Sequence, residues 1–239
     1  MTLAEILASL FPAGHDVVVA GGLIKGTGPI ADGKAHVLGV ADRTPLGVDE
    51  ALAFAGAVID IGRSPGTAPI LVLIDSDSQR MSKRDELLGL NEFLAHLAKA
   101  LMLAECAGHR TIGLLYGHTA AGAFIATALA TGTLVALPGA DPQVMDLPSM
   151  ARITKLSIEV LTEKAKATPV FAPGLDNLAQ TGAILATWNP AEPLEAQLAA
   201  VLATPFDGDV RDALGAERHG RTKAAQIAAR VYDLAQADG

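Results

Sequence analysis

Polar and apolar positions along this chain fall into two patterns, short unbroken apolar runs and stretches with helical spacing. Val17–Ala20 and Lys34–Ala41 have strand composition, and Gly26-Thr-Gly-Pro29 and Asp32-Gly33 between them read as turns. Met1–Phe11 reads as a short helix. Asp49 and Glu50 open a helix through Ile61, with Leu52, Ala55, Val58 and Ile59 on one face, and Gly62–Thr67 stops it. Ile70–Ile74 is continuously apolar, as expected of a strand covered on both faces. It ends in Asp75-Ser-Asp-Ser-Gln-Arg80, which predicts a polar loop at the carboxyl end of that strand. Leu87, Leu90, Leu94, Leu97 and Leu101 then predict one long helix from about Arg84 to Ala107. His96 and Lys99 fall on its wetter side, and His109-Arg110 closes it with positive charge.

No Asp, Glu, Lys or Arg lies between Arg110 and Asp141. That span is long enough to cross a bilayer. Its threonines, interior glycines, histidine and closing proline argue otherwise, as does the lack of flanking aromatic and basic anchors. It parses as a strand Thr111–Tyr116, a small-residue turn Gly117–Phe124, a helix from about Ala121 to Ala130, and a second buried strand from Thr133. Beyond it, Asp141–Pro148 reads as a short strand or turn, Thr154–Ala167 as an exposed helix, and Asn177–Trp188 as another αβ pass. Pro193 opens a helix through Leu202, 208–220 reads as a polar segment, and Thr222–Ala235 as a terminal amphipathic helix. The fold class is α/β.

Half of the 239 residues are hydrophobic and 18% are charged. This excess of apolar residues predicts a surface covered by a partner. A net charge of −8 argues against nucleic-acid binding, which needs clustered Lys and Arg. The single cysteine, Cys106, excludes an intrachain disulfide and a cysteine-based zinc site, and reads as a buried, inert thiol. Met1–Phe11 lacks the features of a signal peptide, which points to the cytoplasm. Gly26 and Gly28 lack the Gly-Lys-Ser/Thr ending of a phosphate loop. Asp75 and Asp77 have the chemistry of a Mg²⁺ site but no further acids nearby, so a capping and turn cluster with no metal is expected. Arg218, His219, Arg221 and Lys223 form a basic cluster, either a solvated helix start or an anchor for an anionic partner.

The turn at Ala120-Ala121-Gly122 admits two readings. Small residues at a helix start leave its backbone N–H groups open to an approaching oxygen. They equally allow the helix to pack closely on a sheet.

Three segments carry a family resemblance. Pro69-Ile70-Leu-Val-Leu-Ile-Asp75 resembles a Pro-Ile-x-x-x-x-Asp motif, Thr119-Ala-Ala-Gly-Ala-Phe124 resembles an Ala-Tyr-Gly-Gly-Ala-Tyr-like turn, and Gln143-Val-Met-Asp146 resembles the strand that follows it. Together they resemble the carboxyltransferase branch of the crotonase superfamily, from about Val17 to Leu202, and within it the gamma subunits of biotin-independent malonate decarboxylase. The biotin-dependent enzymes have Thr-Pro-Gly-Phe where this chain has Ser76-Asp-Ser-Gln79, and Tyr-Gly-Gly where it has Ala120-Ala-Gly122. Both departures favour the biotin-independent enzymes.

The resemblance implies a crotonase-like ββα superhelix, with stacked β-sheets surrounded by helices. One domain is expected over 1–239, with its core at 17–202 and a C-terminal extension at 203–239. It implies decarboxylation of a malonyl thioester carried on the phosphopantetheine arm of an acyl carrier protein, leaving an enolate that a proton quenches. The active site would form with a beta subunit, alongside acyl carrier protein and its transferase subunits, and without biotin or another cofactor bound by this chain. The Ala121 and Gly122 amides would form the oxyanion hole on this side. Ser78 and Gln79 would hold the carboxylate or an ordered water, and Gly117, Thr119, Ala120 and Met145 would line the substrate site. His118 is either the proton donor or a capping and packing residue. Four alternatives compete with the decarboxylase reading: an acyl-CoA hydratase or isomerase, a carboxyltransferase subunit of a biotin-dependent carboxylase, a non-catalytic scaffold, and a serine hydrolase. The first lacks paired glutamates by the turn, and the last lacks a Gly-x-Ser-x-Gly elbow.

Overall fold

The computed structural model describes residues 1–167, 173–206 and 208–237, so 207 and 238–239 of the expected C-terminal extension lie outside it. The chain forms two compact units, Met1–Val144 with Ala186–Asp207, and Met145–Leu185 with Gly208–Gly239.

The first unit opens with α1 (Leu3–Leu10), capped reciprocally by Thr2 and Glu5. Three strands follow, β1 (Val18–Ala20), β2 (Leu23–Ile30) and β3 (Gly33–Leu46), paired antiparallel. Helix α2 (Val48–Gly62) crosses to β4 (Ile70–Gln79), which lies parallel to β3. After α3 (Lys83–Leu88) and α4 (Leu90–Cys106) comes β5 (Thr111–Leu115), parallel to β4. The chain then makes the short β6 (His118–Ala120), α5 (Ala121–Ala126), β7 (Thr133–Ala136) and β8 (Asp141–Gln143). The main sheet has the order β1-β2-β3-β4-β5-β7-β9, with β9 (Ala186–Thr187) at one edge, and β6 pairs with β8 in a separate two-stranded sheet. Helix α9 (Leu194–Ala203) completes the unit. The second unit holds α6 (Leu147–Thr154), α7 (Ile158–Ala167), α8 (Leu175–Gln180), α10 (Arg211–Glu217) and α11 (Ala224–Ala237).

The core sits where the apolar runs predicted it. Ile70–Ile74 and Ile112, Leu114 and Leu115 are all at most 1% exposed. Burying each such side chain contributes about 1.5–3 kcal/mol. The uncharged stretch after Arg110 divides into β5, β6, α5 and β7, and no helix among the described residues is long and apolar enough to cross a membrane.

Several elements differ from their expectation. Gly26–Pro29 is strand, not turn, because a side chain at Gly28 would collide with the Phe11 ring; glycine is there for close approach. The helix expected over Arg84–Ala107 is broken at Gly89, which adopts φ +81° and ends α3 as it starts α4. The break turns Leu87 outward, where it is 77% exposed. On α2, Leu52 faces solvent while Ala51, Phe54, Ala55 and Val58 form the buried face. Cys106 is exposed on the last turn of α4, not buried. His109, expected to close that helix as a charge, is buried with Nδ1 2.9 Å from the Ala68 carbonyl. The polar 208–220 segment contains α10. Within the basic cluster, Arg218 is not a solvated charge. Its guanidinium donates to the Ala179, Ile184 and Leu185 carbonyls at 2.7–2.8 Å and so ties the end of α10 to the turn after α8.

His36, part-buried on β3, is driven below its ordinary pKa of 6.5 by desolvation, then by its neighbours Lys34 and His109. A base whose folded pKa is lowered takes up its proton more readily when unfolded, so its contribution is present above pH 6.5 and lost as pH falls below it. Urea midpoints are therefore expected to drop between about pH 7.5 and pH 5.5. His36→Gln should flatten part of that slope, and an unchanged slope counts against the assignment.

Candidate active site

The site grows from the carboxyl end of β4. The sequence suggested a loop over 75–80, yet β4 runs on as strand to Gln79. Its partner β3 makes this possible. A bulge between Val40 and Thr44 re-aims β3 so that Thr44 pairs with Ser76 and Leu46 with Gln79. Asp42 and Arg43 in that bulge adopt positive φ, at +58° and +51°. The extension is anchored beyond its last residue. The Arg80 N–H donates to the Leu46 carbonyl at 2.7 Å, and its guanidinium donates to Glu50 Oε1 at 2.6 Å. The buried Asp85 carboxylate lies 4.0 Å from the same guanidinium and 3.1 Å from that of Arg84.

Side chains on β4 hold the 118–122 segment by three hydrogen bonds, each joining residues 43 apart. Asp75 Oδ1 accepts the His118 N–H at 3.0 Å. The Ser76 and Thr119 hydroxyls, both fully buried, meet at 2.8 Å. Gln79 Oε1 accepts the Gly122 N–H at 2.8 Å. Ala121 starts α5, as expected, although the helix is shorter than predicted and ends at Ala126. Ala121 takes φ +49°, a conformation that costs a non-glycine residue about 1–3 kcal/mol.

His118 is part-buried beside this turn. Its Nδ1 lies 2.8 Å from Asp141 Oδ2, and its Nε2 lies 3.9 Å from Asp77 Oδ1. Burial raises the Asp141 pKa, but hydrogen bonds from Gln143 and His118 more than offset it and leave the carboxyl below its ordinary value. Asp77, half-exposed, also lies 4.0 Å from Arg43. Among the described residues no group of three or more His, Cys, Asp or Glu is placed to hold a metal ion.

The first unit thus gathers Gln79, Gly117, His118, Thr119, Ala120, Ala121 and Gly122. Ser78 lies within β4 next to Gln79, but its hydroxyl donates to the Gln79 carbonyl at 3.1 Å. Met145 belongs to the second unit and is exposed. Sequence reasoning missed Asp75, Ser76 and Asp141 as partners of the turn. Only the pairing of β6 with β8, His118 opposite Asp141, makes that last contact visible.

A family described as malonate decarboxylase gamma subunit matches residues 41–235. The chain belongs to that family. The malonyl-S-ACP:biotin-protein carboxyltransferase MADD of Malonomonas rubra is 30% identical over 190 residues, 71% of this chain. The match spans 65% of that relative's own length. Among solved structures, a Pseudomonas malonate decarboxylase hetero-tetramer in complex with coenzyme A is similar with a TM-score of 0.76 and 26% identity, over 98% of both chains. The transcarboxylase 12S core shares the fold at 16% identity, with a TM-score of 0.68 over 84% of this chain and 40% of that one. The fold is the crotonase-like carboxyltransferase fold expected from the family, with a central sheet and surrounding helices.

The buried hydroxyl pair offers a direct stability test. Ser76→Ala leaves the Thr119 hydroxyl buried without its partner and is expected to cost about 1–3 kcal/mol. The double change Ser76→Ala with Thr119→Val should be milder than the sum of the two single changes. Additive losses in chemical denaturation would mean that the hydroxyls do not depend on each other.

Proposed function

We propose that this chain is the gamma subunit of a malonate decarboxylase that converts malonyl-S-acyl carrier protein to acetyl-S-acyl carrier protein and CO₂. The carrying observation, beside family membership, is the Gly122 N–H donating at 2.8 Å to an amide oxygen, that of Gln79. An amide carbonyl and a thioester carbonyl present the same kind of acceptor. The Gln79 oxygen stands in for the thioester oxygen that takes up negative charge as CO₂ leaves. Each such backbone donor contributes roughly 3–4 kcal/mol to an enolate-like transition state. The Ala121 amide is the second donor, and the positive φ at Ala121 is the strain that aims the turn. In this reading Gln79 yields to substrate and then faces its carboxylate, while Gly117, Thr119 and Ala120 shape the wall. Ser78 is proposed as an outer contact of the acyl chain.

Catalysis is proposed to need a beta subunit of related fold, with acyl carrier protein bringing substrate on its phosphopantetheine arm in the cytoplasm. Exposed apolar side chains shortly after β4 support a covered face. Met81 is 78% exposed and Leu87 77% exposed on the segment that leaves Gln79. The hetero-tetrameric Pseudomonas enzyme supports a multi-subunit assembly. We propose that no biotin is used. A second reading, transfer of the carboxyl group to a biotinylated protein, is favoured by the name of the Malonomonas relative. Product analysis separates the two, since free CO₂ supports decarboxylation and carboxybiotin supports transfer.

The isolated chain is expected to release no CO₂ from malonyl-CoA, and release by the purified chain alone would contradict the shared-site reading. In the assembled enzyme, Gly122→Val should lower turnover by more than about tenfold. A side chain there meets Gln79 Oε1 at 3.1 Å and Leu94 Cδ1 at 3.0 Å, and so fills the acceptor position. Ala121→Gly, which relieves the strained φ, should preserve turnover. Normal turnover of Gly122→Val in an intact assembly would place the oxyanion site elsewhere.

A further inference from the structure

We propose that Asp141 is a positioning residue for proton delivery: it grips the His118 imidazole at Nδ1 and aims the ring, leaving Nε2 to give the proton that quenches the enolate. This rests on the decarboxylase reading and on His118 as its acid. The geometry is set by strand pairing. Parallel β6 and β8 put His118 directly opposite Asp141, with 2.8 Å between Nδ1 and Oδ2. Gln143 Nε2 donates to both Asp141 oxygens, at 3.0 and 2.9 Å, and fixes the carboxylate plane. Asp75 fixes the backbone of His118 from the other side. The ring is therefore held at one nitrogen while the other, 3.9 Å from Asp77, has no close acceptor there and can face substrate.

Around the ring, β4 presents Asp77, β8 presents Asp141 and β3 presents Arg43 beside Asp77, while Asp75 meets the His118 backbone. Helix α5, Ala-Gly-Ala-Phe-Ile-Ala, brings no titratable group. In the step itself, the bond between the carboxylate carbon and the α-carbon breaks. CO₂ leaves, and the electron pair passes to the thioester enolate. The α-carbon then takes the proton from Nε2, and the N–H pair stays on the ring. The neutral imidazole keeps its Nδ1–H on Asp141 and regains a proton from solvent on the open Asp77 side.

The test uses the chain assembled with its partner subunit, with CO₂ release followed against malonyl-CoA concentration. Asp141→Asn, which keeps the shape and removes the charge that grips Nδ1, should lower kcat by about tenfold or more while KM stays unchanged. A variant with unchanged kcat and only a lower melting temperature overturns the proposal, making the pair a fastener between β6 and β8. His118→Gln reads the underlying assignment separately. Wild-type turnover there removes His118 as the acid, whatever Asp141→Asn does. A third readout does not depend on any variant folding. Nitrogen-15 NMR of histidine-labelled wild-type complex should show the neutral ring protonated at Nδ1, and a ring protonated at Nε2 overturns the proposal.

Discussion

The site depends on one alignment, the carboxyl end of β4 lying beside the 118–122 turn in constant register. Asp75, Ser76 and Gln79 each reach a residue 43 positions on, and two of the three acceptors take backbone N–H groups. Backbone amides that leave a strand for a helix have no partner of their own until side chains supply one. These contacts supply partners along the turn, and they hold Ala121 in a backbone conformation it would not adopt alone. A shift of one residue would turn the β4 side chains to the opposite face and break all three bonds.

Polar groups behind β4 keep that register. Arg80 links the strand end to α2 through Glu50 and to the Pro45 carbonyl, while Glu50 also accepts the Gly47 N–H at 3.0 Å. Asp85 is 1% exposed; its carboxylate accepts from the Ser82 hydroxyl, and its N–H donates to the same hydroxyl oxygen, which caps α3. Such a network contributes through connectivity. Removing one partner leaves another charge buried, a larger loss than any exposed pair would cause. The exposed Arg84–Asp49 pair, by contrast, contributes little.

This arrangement suits chemistry carried by backbone groups. A decarboxylation that leaves a thioester enolate asks mainly for donors at a developing oxyanion and one proton afterwards. The first demand fixes no side chain at Ala121 or Gly122, where the proposed donors are backbone groups. What must persist is the backbone path and the neighbour that supports it.

The sequence by itself determined the apolar runs that became β4, β5 and β7, the small-residue turn, the helix start at Ala121 and the family. Each follows from local chemistry: continuous burial, absence of bulky side chains, or a motif of adjacent residues. Tertiary structure alone decided that 75–79 is strand, because its pairing depends on a bulge in β3 some 30 residues earlier. It likewise decided that Leu87 turns outward, where a left-handed glycine breaks the helical spacing that had seemed continuous. Asp141 shows the same limit. Its composition marks a turn acid, and only the parallel pairing of β6 with β8 brings it to the His118 ring, since contacts between distant segments are set by sheet register rather than by neighbours in sequence.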